Sequence, residues 1–367
     1  MKFNSLFKKL YVQEALLTLL DKFVILLGNF VILQILAERL SKSGFGVFSL
    51  GISIFVFISM FPFTAIDHAV NRYYSIYQKK GIWLCALNAI TFLFFILAII
   101  YCLIALIING YVTPLISGLE NIYPILFFSL TEIYRITLLN IENVQRNRAI
   151  NLISNAFVYV MRILIIIYLF KENLLDITFI FWGFGLISLT NIGFVLLSNF
   201  KDYVGLFKNS IKENLRIGKE LLVFSLPIII WGPFIWAQNM INRWLIDIYY
   251  EESIVAEFVA VNAVATLIPT AVFGVVWALM TPILYKKEDD KSGAILELNR
   301  RINSGFGFIL IIGFVACWLL SEFVFSYVFT KYSGSAWLLP YLYVPAAFIQ
   351  WAAYSSSELY ARLNIRS

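Results

Sequence analysis

The chain has 367 residues, 61% of them hydrophobic and only 14% charged, with a mean hydropathy of +0.83. That composition excludes a soluble globular domain and leaves a polytopic membrane protein. The net charge of +6 does not point to nucleic acid, because the basic residues sit in short loops between apolar runs, where membrane topology accounts for them.

A basic start, MKFNSLFKKL, leads straight into an apolar run without a clear small-residue cleavage site, so it is expected to remain as the first helix. A spanning helix needs about 20 predominantly apolar residues. Ten runs meet that requirement: Leu16 to Ala37, Phe45 to Ile66, Ile82 to Ile108, Ile122 to Ile141, Ile150 to Phe170, Leu174 to Leu197, Leu221 to Ile248, Ile254 to Leu284, Phe306 to Phe329 and Leu338 to Tyr360. Twenty of the 28 lysines and arginines fall on one side of this arrangement, in the N-terminus, the even-numbered loops and the tail. The positive-inside rule then places both termini in the cytoplasm. The longest stretch between spans, about Ser198 to Glu220, is basic and amphipathic. It divides an N-terminal six-helix bundle (1–200) from a four-helix bundle (221–367), with 201–220 as a cytoplasmic linker.

Several charges lie inside these runs. Glu132 and Arg135 are three residues apart in the fourth span and share a helix face. Arg162 lies at similar depth in the fifth. Together they read either as an ion pair pinning two helices or as a cationic site for phosphate, which the planar fork of arginine binds bidentately. Asp21 and Lys22 lie in the inner part of the first span, where adjacent positions do not face each other. Lys22 can snorkel to the interface, and Asp21 is a candidate cation or proton site. The seventh span carries Gln238, Asn239, Asn242, Arg243 and Asp247, with Pro227, Gly232 and Pro233 expected to interrupt it; broken, polar helices at membrane depth mark transport pathways. Arg243 and Asp247, four apart, suit either a local salt bridge or contact with sugars or phosphate near the outer gate. Trp231 and Trp236 suit core packing or stacking on sugar rings. His68, following Asp67 at the end of the second span, reads as a solvated loop residue. Cys85, Cys102 and Cys317 have no paired spacing, and a zinc site has almost no material.

Three stretches carry a family resemblance. Leu40-Ser41-Lys42-Ser43-Gly44-Phe45-Gly46-Val47-Phe48-Ser49-Leu50, together with Phe224-Ser225-Leu226-Pro227 and Asn242-Arg243-Trp244-Leu245-Ile246, resembles the polysaccharide and oligosaccharide (O-antigen type) flippases of the multidrug/oligosaccharidyl-lipid/polysaccharide exporter superfamily. The resemblance implies two bundles of six helices. This chain holds ten spans, so either a shortened product lacking the last two helices or a ten-helix variant is expected, truncation being favoured. Asn242 stands where the family usually has an acid.

The resemblance further implies flipping of a polyprenyl-pyrophosphate-linked oligosaccharide across a bacterial inner membrane, beside a polysaccharide polymerase and chain-length machinery. Arg135, Arg162, Arg243 and Lys22 are then the candidate substrate-binding residues. No Gly-rich, Lys-Ser/Thr nucleotide loop occurs, so no cofactor is expected and an ion gradient is the natural driving force. Glu132, Asp21 and Asp247 are the candidate coupling acids. A multidrug or cation antiporter of the same superfamily is the alternative. A polysaccharide polymerase or glycosyltransferase fits less well, since every outer loop is short, and no enzymatic activity is expected.

Overall fold

The computed structural model describes residues 2–112, 121–198, 211–286 and 294–363, with side chains over 13–107, 109–110, 121–198, 211–272 and 304–352. Each described element is helical. They run α1 (Lys2–Arg39), α2 (Lys42–Ile58), a π-helical stretch (Ser59–Phe63), α3 (Thr64–Lys79), α4 (Trp83–Val112), α5 (Tyr123–Val144), α6 (Arg148–Lys171), α7 (Ile177–Ser198), α8 (Ile211–Tyr249), α9 (Glu252–Lys286), α10 (Ala294–Val328), a 3-10 stretch (Thr330–Leu338) and α11 (Leu339–Leu363). An all-helical chain is what hydrocarbon permits, because a helix satisfies every backbone polar group within itself.

Among the described residues, nine segments are long and apolar enough to cross a membrane, with α2, the π stretch and α3 forming a single one. The protein is an all-α polytopic membrane protein. The tenth expected span, Leu338 to Tyr360, is helical as α11, and its later side chains lie outside the described residues.

Two spans differ from expectation. The second does not end at Ile66 but continues as helix to Lys79. Asp67, His68 and Arg72 end the apolar run in the sequence, yet the helix persists because its other face is held. Ala69, Val70 and Tyr77 are buried in one core with Ile217 and Leu221 of α8 and Leu138 and Ile141 of α5. The helical break lies in this span: Phe61 has φ −129° and ψ 105°, just before Pro62. Proline cannot donate to the helical ladder. The loosened carbonyls find side-chain donors instead, the Tyr101 hydroxyl on Phe61 and Thr64 Oγ1 on Ser59 at 3.0 Å.

The seventh span, expected to be interrupted, is a continuous helix containing both Pro227 and Pro233. Gly232 has a different task. A Cβ there would stand 2.8 Å from the carbonyl oxygen of Met60, so its absence lets α8 pack against the π stretch. Trp236 Nε1 donates to the Ser53 carbonyl at 2.8 Å, Trp244 Nε1 donates to Ser53 Oγ at 2.8 Å, and the Trp236 ring meets Phe57 edge-on at 5.3 Å. Trp236 is therefore a packing residue, whereas Trp231 is exposed.

Ser41, within the stretch that carries the family resemblance, caps α2: its Oγ accepts from Gly44 N–H at 3.0 Å. A side-chain acceptor here satisfies one of the donors that a helix start leaves unpaired.

The chain divides into two compact units, one of Met1–Gly28 and Leu40–Val255, the other of Asn29–Arg39 and Ala256–Ser367. α8 thus groups with the preceding helices. Residues 201–210 of the expected linker lie outside the described residues, and 211–220 form the first turns of α8. In the second unit the last turns of α1 meet the α10–α11 connection. Glu38 accepts from Thr330 Oγ1 at 2.7 Å, Gln34 Nε2 donates to the Val328 carbonyl at 3.2 Å, and Phe30 packs edge-on to Phe329 at 5.9 Å.

Candidate functional site

The first unit holds a buried cluster of charges contributed by four helices. On α5, Arg135 clamps Glu132 with a two-point fork, Nε to Oε2 at 2.9 Å and Nη2 to Oε1 at 2.7 Å. The three-residue spacing makes this fork possible, since it stacks the two side chains on one face. Arg162 of α6 reaches the same carboxylate, Nη2 to Oε2 at 2.6 Å. Ser188 of α7 closes the group: its Oγ lies 2.7 Å from Glu132 Oε2 and accepts from Arg162 Nη2 at 3.0 Å. The Phe184 carbonyl, at 2.9 Å, is the alternative acceptor for the serine hydroxyl.

The cluster continues through Asn155 of α6. Its Oδ1 accepts from Arg135 Nη1 at 2.9 Å and its Nδ2 donates to Asp21 Oδ1 at 2.7 Å. The result is an unbroken chain, Asp21 to Asn155 to Arg135 to Glu132 to Arg162, linking α1, α5, α6 and α7. All of these residues are buried, Ser188 completely. Glu132 and Arg162 are nine residues from Tyr123 and Lys171 respectively, or about 14 Å along their helices, which is well inside a hydrocarbon core about 30 Å thick.

Two guanidinium groups face two carboxylates, so the cluster is balanced in charge. That is the condition under which burying ions is tolerable at all. One group remains unspent: Arg162 Nε has no partner. Its guanidinium carbon lies 5.3 Å from the Phe128 ring centre and 5.1 Å from that of Phe184. Aromatic faces hold a cation in place without neutralising it.

The remaining expected residues lie elsewhere. Lys22 is exposed. Arg243 does not pair with Asp247; its Nη1 donates to the Ser49 carbonyl of α2 at 3.1 Å. No ion pair joins these two residues, and Asp247 is half-buried. Four residues along a helix brings two side chains near each other, but a carbonyl on the neighbouring helix holds the arginine instead. Gln238, Asn239 and Asn242 are exposed on α8 rather than turned into the bundle, with Asn239 Nδ2 donating back to the Ile235 carbonyl at 2.8 Å. Asn155 and Ser188 were not expected. For Asn155 the only signal is spacing, seven residues or about two turns before Arg162 on the same face of α6; Ser188 has none.

Comparison with protein-family models, with curated proteins and with solved structures gives no match.

Proposed function

We propose that this protein is a transporter that flips a polyprenyl-pyrophosphate-linked oligosaccharide across a bacterial cytoplasmic membrane by alternating access, driven by an ion gradient. The observation that carries the proposal is the Arg135 and Arg162 pair at membrane depth, converging on the single carboxylate of Glu132. A pyrophosphate offers the same bidentate oxygen pattern as that carboxylate and more charge. It competes for the two guanidiniums, and Glu132 is released as it binds. Loading of the headgroup is thereby tied to a change of state at an acid, which is the exchange a gradient-driven carrier needs. The exposed amides of α8 supply a second element. Polar side chains at membrane depth turn toward water-filled space rather than lipid, and Gln238, Asn239 and Asn242 suit hydroxyl-rich sugar. Both termini are taken as cytoplasmic, on the distribution of basic residues.

The charge balance of the cluster favours one alternative, a multidrug or cation antiporter, in which Asp21 and Glu132 serve cation exchange and the arginines only hold them. Complementation of a strain lacking its own polysaccharide exporter separates the two. Arg135→Ala and Arg162→Ala should abolish surface polysaccharide with membrane insertion intact, and the lysine variants should restore it only in part, because a point charge lacks the fork. Normal export by both alanine variants would remove the cationic-site reading.

A further inference from the structure

One face of α8 changes character along its length. Lys212, Arg216 and Lys219 follow one another at four- and three-residue spacing, which keeps them on one stripe, and each is exposed. The stripe continues through Val223, Leu226 and Ile230, and further on through Ile241 and Ile248, all of them exposed. Basic turns thus run straight into an apolar surface. The acids of these turns, Glu213 and Glu220, lie about a quarter turn away around the helix, so the charges on the stripe are all positive. Among the described residues no salt bridge includes Lys212, Arg216 or Lys219.

Lengths fix where the change falls. From Val223 to Ile248 is 25 residues, about 38 Å, which crosses a hydrocarbon core of about 30 Å at a tilt of about 40°. At the same tilt Lys219 and Arg216 stand about 5 and 8 Å beyond Val223, within a headgroup layer that adds about 5–8 Å to each side of the core. α3 brings a further cation to this level. The two helices run antiparallel: Ser225 Oγ donates to the Ala65 carbonyl at 2.8 Å, the Tyr73 and Phe224 rings meet edge-on at 5.5 Å, and Tyr77 shares a core with Ile217. Arg72 therefore falls near the depth of Lys219, and it is exposed.

An occupant that matches both halves of the stripe has a phosphate at its head and hydrocarbon behind it. Charge selects the kind of head. The choline cation of phosphatidylcholine offsets its own phosphate, whereas an anionic headgroup leaves the phosphate free for the basic turns. We propose that this face of α8 binds an anionic phospholipid, its phosphate held by Arg216 and Lys219 and an acyl chain laid along Val223, Leu226 and Ile230. The guanidinium offers phosphate a two-point fork, and the ammonium adds a point charge. The site is independent of what the transporter carries.

Photolabelling of the full chain in nanodiscs, read by peptide mass spectrometry, tests it. Phosphatidylglycerol with a diazirine in its acyl chain should label α8 between Val223 and Ile230 about tenfold more than the matching phosphatidylcholine, the order expected of two surface cations. Arg216→Gln/Lys219→Gln should bring the two lipids to parity there, and Arg216→Lys/Lys219→Arg, which keeps both charges, should retain most of the difference. α4 has no lysine or arginine along its length, and its exposed Ile99 and Leu103 should label equally with both lipids. Equal labelling of wild-type α8, or a preference that survives Arg216→Gln/Lys219→Gln, overturns the proposal. Loss of the α8 label to a polyprenyl phosphate at equal concentration would make the carried lipid the occupant and overturn it as well. Should the glutamine variant fail to fold, the comparison of the two lipids on wild-type α8 decides alone.

Discussion

Glu132 is the residue on which the buried cluster depends, because it alone is shared by both arginines. Removing its charge leaves two guanidiniums in the interior with only Asp21 as a counter-charge, bridged through Asn155. Breaking a buried ion pair from one side costs about 3–5 kcal/mol. Glu132→Gln should therefore lower thermal stability in detergent by an amount in that range. The double variant Glu132→Gln/Arg162→Met should recover much of the loss, since it takes away the stranded cation together with its partner. A cycle in which the two changes simply add would show that Glu132 and Arg162 are not energetically coupled. The charged members of this cluster were legible in the sequence, since charges stand out against an apolar run. Asn155 and Ser188 were not, because an amide or a hydroxyl in such a run is commonplace and only the neighbouring helix gives it a task.

At the scale of elements, each of the ten apolar runs is helical in its described residues, and the second and the seventh depart from their expected course. Both concern proline. In the second span Pro62 accompanies a real break, while Pro227 and Pro233 sit in an unbroken α8. Each of these prolines removes one backbone donor from its helix, and the sequence does not display which of them accompanies a break. Tyr101 and Thr64 supply donors where α2 gives way to α3. Gly232 is the complementary feature on α8, and it yields a prediction. Gly232→Val places methyl groups against the Met60 carbonyl and should cost about 1–3 kcal/mol, the range for overpacking, read as a lower midpoint of thermal unfolding. Pro227→Ala, which creates no such clash and restores a backbone donor, should not lower the midpoint. An unchanged midpoint for Gly232→Val would mean that α8 does not rest on the π stretch.

For the whole molecule, the distribution of basic residues predicts how the chain is threaded. Reporter fusions after Lys80, Lys208 and Lys287 should report cytoplasm, and fusions after Thr113 and Lys331 the opposite side; reversed signals in either set would overturn the arrangement. The continuous helix α8 adds a constraint that no loop count expresses. Its 39 residues measure about 58 Å, against a hydrocarbon core of about 30 Å. Even a tilt of about 40°, the upper end of what spanning helices adopt, leaves a projection of about 45 Å, the full depth of the bilayer with its headgroups. Part of the helix must therefore lie outside the hydrocarbon core, and its first turns, where Lys212, Arg216 and Lys219 are exposed, are the part built for it. A thinner or thicker bilayer then alters how much of that charged stem is wet, while Trp236, Trp244 and Arg243, tied to α2, keep the amides at Gln238, Asn239 and Asn242 at constant depth.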